Sequence, residues 1–139
     1  MRQFRTHRRC EFADTDMGNL VHFSRFFVFM ETAEHEFLRA LGLAVHSRID
    51  GRLVGWPRVA ASCEYLSPAR YGDELDILVE VERKGRSSMA YRFTFTCGDR
   101  LVARGRLATV CCVLDDPAGL RAIPIPEPVA AQVEDDRPA

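Results

Sequence analysis

The stretch that decides the fold reads Phe23-Ser24-Arg25-Phe26-Phe27-Val28-Phe29-Met30-Glu31-Thr32-Ala33-Glu34-His35-Glu36-Phe37-Leu38-Arg39-Ala40-Leu41-Gly42. Phe23, Phe26, Phe27, Met30, Ala33, Phe37 and Leu41 recur at three- and four-residue spacing, the period of an amphipathic helix. Ser24 stands where an N-cap belongs, and Gly42 where a left-handed C-terminal cap belongs. About 19 residues at about 1.5 Å each predict a helix roughly 28 Å long. Its aromatic stripe is wide enough to need a sheet to lie against.

Working outward, the period changes from 3.6 to 2 after Gly51, Gly55 and Pro57. Val59, Ala61, Cys63 and Tyr65 alternate with Ala60, Ser62 and Glu64. Beyond the turn cluster Pro68 to Asp73, Leu75, Ile77, Val79 and Val81 alternate with polar residues, and Met89, Tyr91, Phe93 and Phe95 do the same. Lys84-Gly85-Arg86 reads as the hairpin between these two strands, and Leu101 to Val113 supplies a last long strand. Residues 3 to 12 signal a weaker first strand. Short connections make antiparallel neighbours, so the pattern predicts an α+β fold: one helix between a first strand and four consecutive strands, five in all. Residues 1–114 read as a single domain. Residues 115–139, with five of the seven prolines, read as an extended and partly disordered C-terminal extension.

Composition narrows the function classes. The chain has 139 residues, 47% of them hydrophobic, which suits one domain with a real core. Its formal net charge of −1 argues against a nucleic-acid coat. Five cysteines (Cys10, Cys63, Cys97, Cys111, Cys112) form an odd set without C-x-x-C spacing, which disfavours a zinc ribbon or a disulfide framework. His7, His22, His35 and His46 are scattered without metal-ligand spacing, so no metal and no cofactor is expected. Without a signal peptide or a membrane-length apolar run, the reading is a soluble cytoplasmic protein with no membrane span.

Nucleophile-elbow, phosphate-loop and dinucleotide motifs are missing from the sequence, which leaves few chemical candidates. Asp14 and Asp16 lie in a turn just before the helix. Either both cap turns, or one carboxylate faces a pocket under the helix N-terminus, where free N–H groups polarise a carbonyl. Local pattern leaves both readings open.

The run Arg9-Cys10-Glu11-Phe12-Ala13-Asp14-Thr15-Asp16-Met17-Gly18-Asn19-Leu20-Val21-His22-Phe23, with Met30-Glu31 and Phe37 to Gly42, resembles the opening of 4-hydroxybenzoyl-CoA thioesterase-like proteins. The resemblance spans roughly residues 5 to 113 and implies the hotdog fold, a long helix wrapped by a curved five-stranded antiparallel sheet. It implies hydrolysis of an acyl- or aroyl-CoA thioester to free acid and CoA. By the same resemblance Asp16 is the catalytic carboxylate, as nucleophile or general base, and the backbone N–H near Phe23 polarises the carbonyl. His22 stands beside it, either orienting water or lining the pocket. Glu31 and Glu34 lie on the helix, and Glu31 is a reserve catalytic candidate or a solvated or interface glutamate. Lys84, Gly85, Arg86, Ser87 and Ser88 match the hairpin that meets CoA phosphates, although a plain polar hairpin would look the same. Trp56, before the second strand of the pattern, either lines the acyl pocket or sits in the core. Relatives carry glycine three residues after the catalytic acid, whereas here Gly18 is second and Asn19 third. The expected partners are the acyl-CoA substrate and a second copy, in a homodimer or homotetramer. The alternatives are a thioesterase acting on acyl-carrier protein and a non-hydrolytic acyl-CoA-binding protein.

Overall fold

The computed structural model describes residues 2–44 and 47–134, so His46 and the last five residues of the expected extension lie outside the described residues. In chain order come strand β1 (Gln3–Arg9), a 3-10 turn (Phe12–Asp14), helix α1 (Arg25–Ala40) and strands β2 (Ser47–Ile49), β3 (Arg52–Gly55) and β4 (Arg58–Tyr65). They are followed by β5 (Glu74–Lys84), β6 (Ser88–Cys97), β7 (Arg100–Val110), β8 (Cys112–Val113), β9 (Arg121–Ala122) and helix α2 (Glu127–Glu134). Five strands form one antiparallel sheet, as the sequence predicts, but in the order β1-β5-β6-β7-β4, so β4 lies beside β7 and not beside β5, its neighbour in the chain. β1 and β4 are its opposite edges, so α1 must cross the whole sheet to connect them.

The crossing is apolar because the two periods agree. Leu75, Ile77, Val79 and Val81 of β5 and Met89, Tyr91, Phe93 and Phe95 of β6 are buried. They meet Phe26, Phe29, Met30, Ala33, Phe37 and Leu38 of α1 in one core. Phe26 stands edge-on to Phe95 at 5.4 Å, and Phe37 edge-on to Tyr91 at 5.9 Å. Each such ring contributes on the order of 1.5–3 kcal/mol by leaving water. Met30 lies against Gly105 of β7, where any Cβ would collide with its sulfur.

The helix is shorter than its sequence pattern. Phe23 stays outside it and is 62% exposed. Ser24, expected as the N-cap, has helical backbone angles (φ −68°, ψ −23°) and makes no side-chain cap. Its hydroxyl bonds instead to the His22 ring. The C-terminal end follows the expectation. Gly42 has φ +87°, Leu43 N–H reaches Leu38 C=O at 2.8 Å and Gly42 N–H reaches Arg39 C=O at 2.9 Å. That pair of bonds is the Schellman pattern, which needs a left-handed residue at this place.

Two further expectations are corrected. The last long strand breaks at Cys111, and β8 leaves the main sheet for a second, small one in the order β2-β3-β8-β9. The segment after Asp115, expected as an extension outside a domain ending at 114, packs on the domain. Ile123, Ile125, Val129, Ala130 and Val133 join the core, and Gln132 Nε2 donates to Leu41 C=O at 2.9 Å, beside the end of α1. The period-2 pattern of β9 is too short, and α2 too rich in flanking proline, for either to be legible. Among the described residues no helix is long and apolar enough to cross a membrane.

β4 pairs with β7 on one side and with nothing on the other. Its expected inward row is uncovered at both ends, Val59 being 65% and Tyr65 46% exposed. Gly105→Val should overpack the α1–β7 contact, because buried Met30 has nowhere to move. The expected loss is about 1–3 kcal/mol, read as a lower urea midpoint with an unchanged m-value.

Candidate functional site

The turn before α1 separates its two acids. Asp14 is buried. Its carboxylate accepts the Glu11 N–H at 2.8 Å and pairs with Arg25 Nε at 2.7 Å. That is the capping reading of the turn, and it applies to Asp14. Asp16 is exposed, and its Oδ1 accepts the Gly18 N–H at 2.8 Å and the Leu20 N–H at 3.4 Å. No group among the described residues bonds to Oδ2. The Gly18-Asn19 departure leaves the turn closed, since Asn19 takes the left-handed conformation at φ +64° and Asn tolerates it.

The start of α1 can be accounted for group by group. His22 N–H donates to Asp14 C=O at 2.8 Å and His22 C=O accepts Arg25 N–H at 2.9 Å. Ser24 N–H donates to His22 Nδ1 at 3.3 Å, and Ser24 C=O accepts Phe27 N–H at 3.2 Å. Phe23 C=O accepts the Tyr65 hydroxyl at 2.9 Å. Phe23 N–H alone in residues 22–24 has no acceptor among the described residues. Phe23 is 62% exposed, so this N–H is left for water or a ligand. An N–H can only donate, so His22 Nδ1 is an acceptor and the ring carries its hydrogen on Nε2. The ring stacks on Phe23 at 4.5 Å.

Asp16 and Phe23 line one cleft of about 510 Å³ together with Leu20, Phe26, Tyr65 and Leu66. Desolvation, with the Cys63 thiol beside it second, pushes the Tyr65 phenol up to about 12. It therefore remains a donor at neutral pH. The cleft thus has Asp16 and Phe23 in a mostly apolar wall. His22 helps build this turn but does not line the cleft.

The other predicted residues lie elsewhere. Glu31 and Trp56 line a second cavity of about 280 Å³, two to three turns along α1, with Glu34, His35 and Arg58. Trp56 is mostly buried and Glu31 exposed. Glu34, grouped with Glu31 by sequence, is 1% exposed and binds Arg58 through both oxygens, at 2.7 and 3.0 Å. Burial pushes the Glu34 carboxyl up, and the Arg58 hydrogen bonds pull against it. Arg58 also donates to Trp56 C=O at 2.8 Å. The hairpin Lys84, Gly85, Arg86, Ser87 and Ser88 joins β5 to β6, with Gly85 N–H donating to Ser88 C=O at 2.8 Å. It is at the far end of β5 from the cleft, about ten residues or roughly 33 Å of strand away. One chain therefore does not bring it to Asp16. Among the described residues no three His, Cys, Asp and Glu side chains cluster as a metal site. Tyr65 and Arg58 are the residues that sequence reasoning missed. Tyr65 is the one hydroxyl at the end of the inward row of β4, and that was the available signal.

Residues 10–133 match the model of the thioesterase-like superfamily. A 1,4-dihydroxy-2-naphthoyl-CoA hydrolase from Synechococcus sp. (strain CC9311) is 27% identical over 134 residues, covering 91% of this chain and 86% of the relative. The crystal structure of Slr0204, a 1,4-dihydroxy-2-naphthoyl-CoA thioesterase from Synechocystis, superposes with a TM-score of 0.85 at 25% identity, covering 98% and 99% of the two chains. The 4-hydroxybenzoyl-CoA thioesterase of Pseudomonas sp. strain CBS-3 shares the fold, with a TM-score of 0.80 at 23% identity over 94% and 99%. The fold is the hotdog fold, and the chain belongs to the thioesterase-like superfamily.

Proposed function

We propose that this protein hydrolyses acyl-CoA thioesters to the free acid and CoA, with Asp16 as the catalytic carboxylate and the Phe23 N–H polarising the thioester carbonyl. One observation carries the reading. Within residues 22–24 the Phe23 N–H is the group without an acceptor among the described residues, and Phe23 lines the same cleft as Asp16, whose Oδ2 is untethered. The names of the relatives, hydrolases of aroyl- and acyl-CoA, support the substrate class. The carbonyl oxygen takes the Phe23 N–H, which stabilises the charge that develops there. Oδ2 then attacks the carbonyl carbon or takes a proton from the attacking water. In the first route the C–S bond breaks to leave an acyl-Asp16 anhydride, which water hydrolyses to the free acid. In the second, water adds directly and the C–S bond then breaks. In both, one proton of the water ends on the departing CoA sulfur. The apolar lining from Leu20, Phe26 and Leu66 suits an aryl or medium acyl group. Five free thiols fit a reducing compartment.

The open edge of β4 supports a homodimer. β4 ends at Tyr65 beside the cleft, and begins at Arg58, at the end of the sheet that carries the hairpin. Pairing two β4 strands antiparallel about a two-fold axis sets the Tyr65 end of one chain against the Arg58 end of the other. That brings the partner's hairpin and the cavity of Glu31 and Trp56 to the Asp16 side, where CoA phosphates and an acyl group need them. Light scattering at micromolar concentration should give a dimer or tetramer, and Val59→Asp should shift it to monomer with loss of activity. A fully active monomer would remove the shared site.

Released thiol measured across aryl-, short- and long-chain acyl-CoAs tests the activity. Asp16→Asn keeps the turn, since an amide oxygen still accepts the Gly18 N–H. It should lower kcat by about 10²–10⁴-fold while acyl-CoA still binds. Asp14→Asn is the contrast. It leaves Arg25 without its charged partner and should cost about 1–3 kcal/mol of stability. Binding without thiol release from any acyl-CoA would favour a binding protein, and release from acyl-carrier protein alone would name the other substrate.

Replacing Lys84 and Arg86 together by alanine should raise KM for acyl-CoA severalfold and leave kcat within about twofold. The difference from the parent should narrow as salt rises, because exposed phosphate contacts are screened. An unchanged KM would leave the hairpin a turn and nothing more.

A further inference from the structure

We propose that Tyr65 is a positioning residue for the hydrolysis: its hydroxyl, bonded to the Phe23 carbonyl, holds the start of α1 so that the Phe23 N–H stays aimed at the thioester. The inference rests on the roles given above to Asp16 and Phe23.

The argument starts from which bonds hold residues 22–24. His22 N–H, His22 C=O, Ser24 N–H and Ser24 C=O all find partners between residues 14 and 27, within the turn and the first turn of α1. These bonds stay within the segment, and the nearest tie to another part of the chain on the N-terminal side is one residue back, where Val21 N–H donates to Ala69 C=O at 2.8 Å. The bond from Tyr65 is different. It comes from β4, 42 residues away in sequence, and links the helix start to the main sheet at 2.9 Å. The phenol ring is itself fixed, edge-on to buried Phe26 at 5.4 Å. Phe26 in turn packs edge-on to Phe95 of β6 at 5.4 Å. A rigid line thus runs from the sheet core through Phe26 and Tyr65 to the peptide unit that follows Phe23.

The need for such a line is physical. Phe23 lies before the helix proper and is exposed, so little packing holds it. Its N–H must meet a developing oxyanion with a favourable distance and angle, and a misplacement near 1 Å is enough to lose most of the benefit. The Tyr65 bond acts on the carbonyl of the same residue, one φ torsion from the N–H, and so limits how far the Phe23 backbone can shift away from the sheet. Tyr65 touches no reacting atom in this arrangement, which is why it positions and does not catalyse.

Tyr65→Phe removes the hydroxyl and keeps the ring. The expected result is a fall in kcat of about tenfold, KM within about twofold, the same shape of pH–rate profile and an almost unchanged urea midpoint. A second reading isolates the carbonyl contact without turnover. Affinity is measured for two stable CoA analogues, a ketone that replaces the thioester sulfur by CH2 and keeps the carbonyl, and a thioether that lacks the carbonyl. Tyr65→Phe should weaken the ketone severalfold and leave the thioether unchanged. Equal loss for both would make Tyr65 a general wall of the cleft and overturn the proposal, as would a kcat within twofold of the parent. A parent protein that hydrolyses no thioester overturns the function itself. A parent that hydrolyses normally beside an unaffected Tyr65→Phe overturns only the role of Tyr65.

Discussion

The wholly buried rings of Phe29 and Phe37 commit α1 to the concave face of the main sheet, and the edge positions of β1 and β4 commit it to crossing that face from side to side. Everything at the site follows from where such a helix has to begin. β1 ends beside the start of β5, with Cys10 N–H bonded to Asp73 C=O at 2.8 Å. The chain must then turn under the sheet within about a dozen residues to enter α1. The connection after β4 arrives at the same end, where Val21 N–H meets Ala69 C=O at 2.8 Å. Two connections and a helix N-terminus thus converge, and the cleft is the gap they do not fill. Helix starts carry spare N–H groups. The proposed site uses one such group, from a residue that lines the same gap as Asp16.

Two ion pairs keep the helix in this register. Arg25 in its first turn binds Asp14 of the preceding turn, and Glu34 two turns later binds Arg58 of β4. The second pair is buried, so its net contribution to stability is small, because desolvating two charges offsets most of their attraction. Its effect on uniqueness is larger. With Glu34 wholly buried, sliding α1 or β4 would leave a carboxylate in the core without its guanidinium, a cost of about 3–5 kcal/mol. Apolar contacts alone tolerate small shifts, whereas a bidentate pair does not. The same Arg58 holds Trp56 C=O, so the second cavity is fixed by the contact that fixes the helix.

Periodic features were legible and tertiary ones were not. The alternation of Leu75 to Val81 and of Met89 to Phe95 gave two strands and their inward faces, because half-buried strands impose period 2 on the sequence. The stripe from Phe26 to Leu41 and Gly42 gave the helix and its C-cap for the equivalent reason. Phe23 belongs to that stripe by spacing yet sits outside the helix, and spacing cannot see this. Glu34 looks like any surface glutamate, since its partner Arg58 is brought to it only by the crossing of α1 under β4. Two turn acids two residues apart, Asp14 as cap and Asp16 as candidate catalyst, share one local pattern. They were separated in sequence only by resemblance, and in structure by burial. Ile123, Ile125 and Val129 were hidden by the prolines among them, which signal an extended tail even where the apolar residues reach the core.

The position of β4 connects assembly to chemistry. It is an edge strand with an uncovered apolar row, the part of a sheet most prone to fray when left alone. Yet its two ends hold the helix, Arg58 through Glu34 and Tyr65 through Phe23. Fraying of β4 would release both at once, leaving Glu34 buried without a partner and Phe23 without its tie to the sheet. In the proposed dimer, a second copy on this strand would supply its backbone partners and remove Val59 from water. The free energy of that association would then reach the cleft through the residues at the two ends of β4. A site built at the start of a helix, and held there by an edge strand, gains its rigidity from whatever completes the edge.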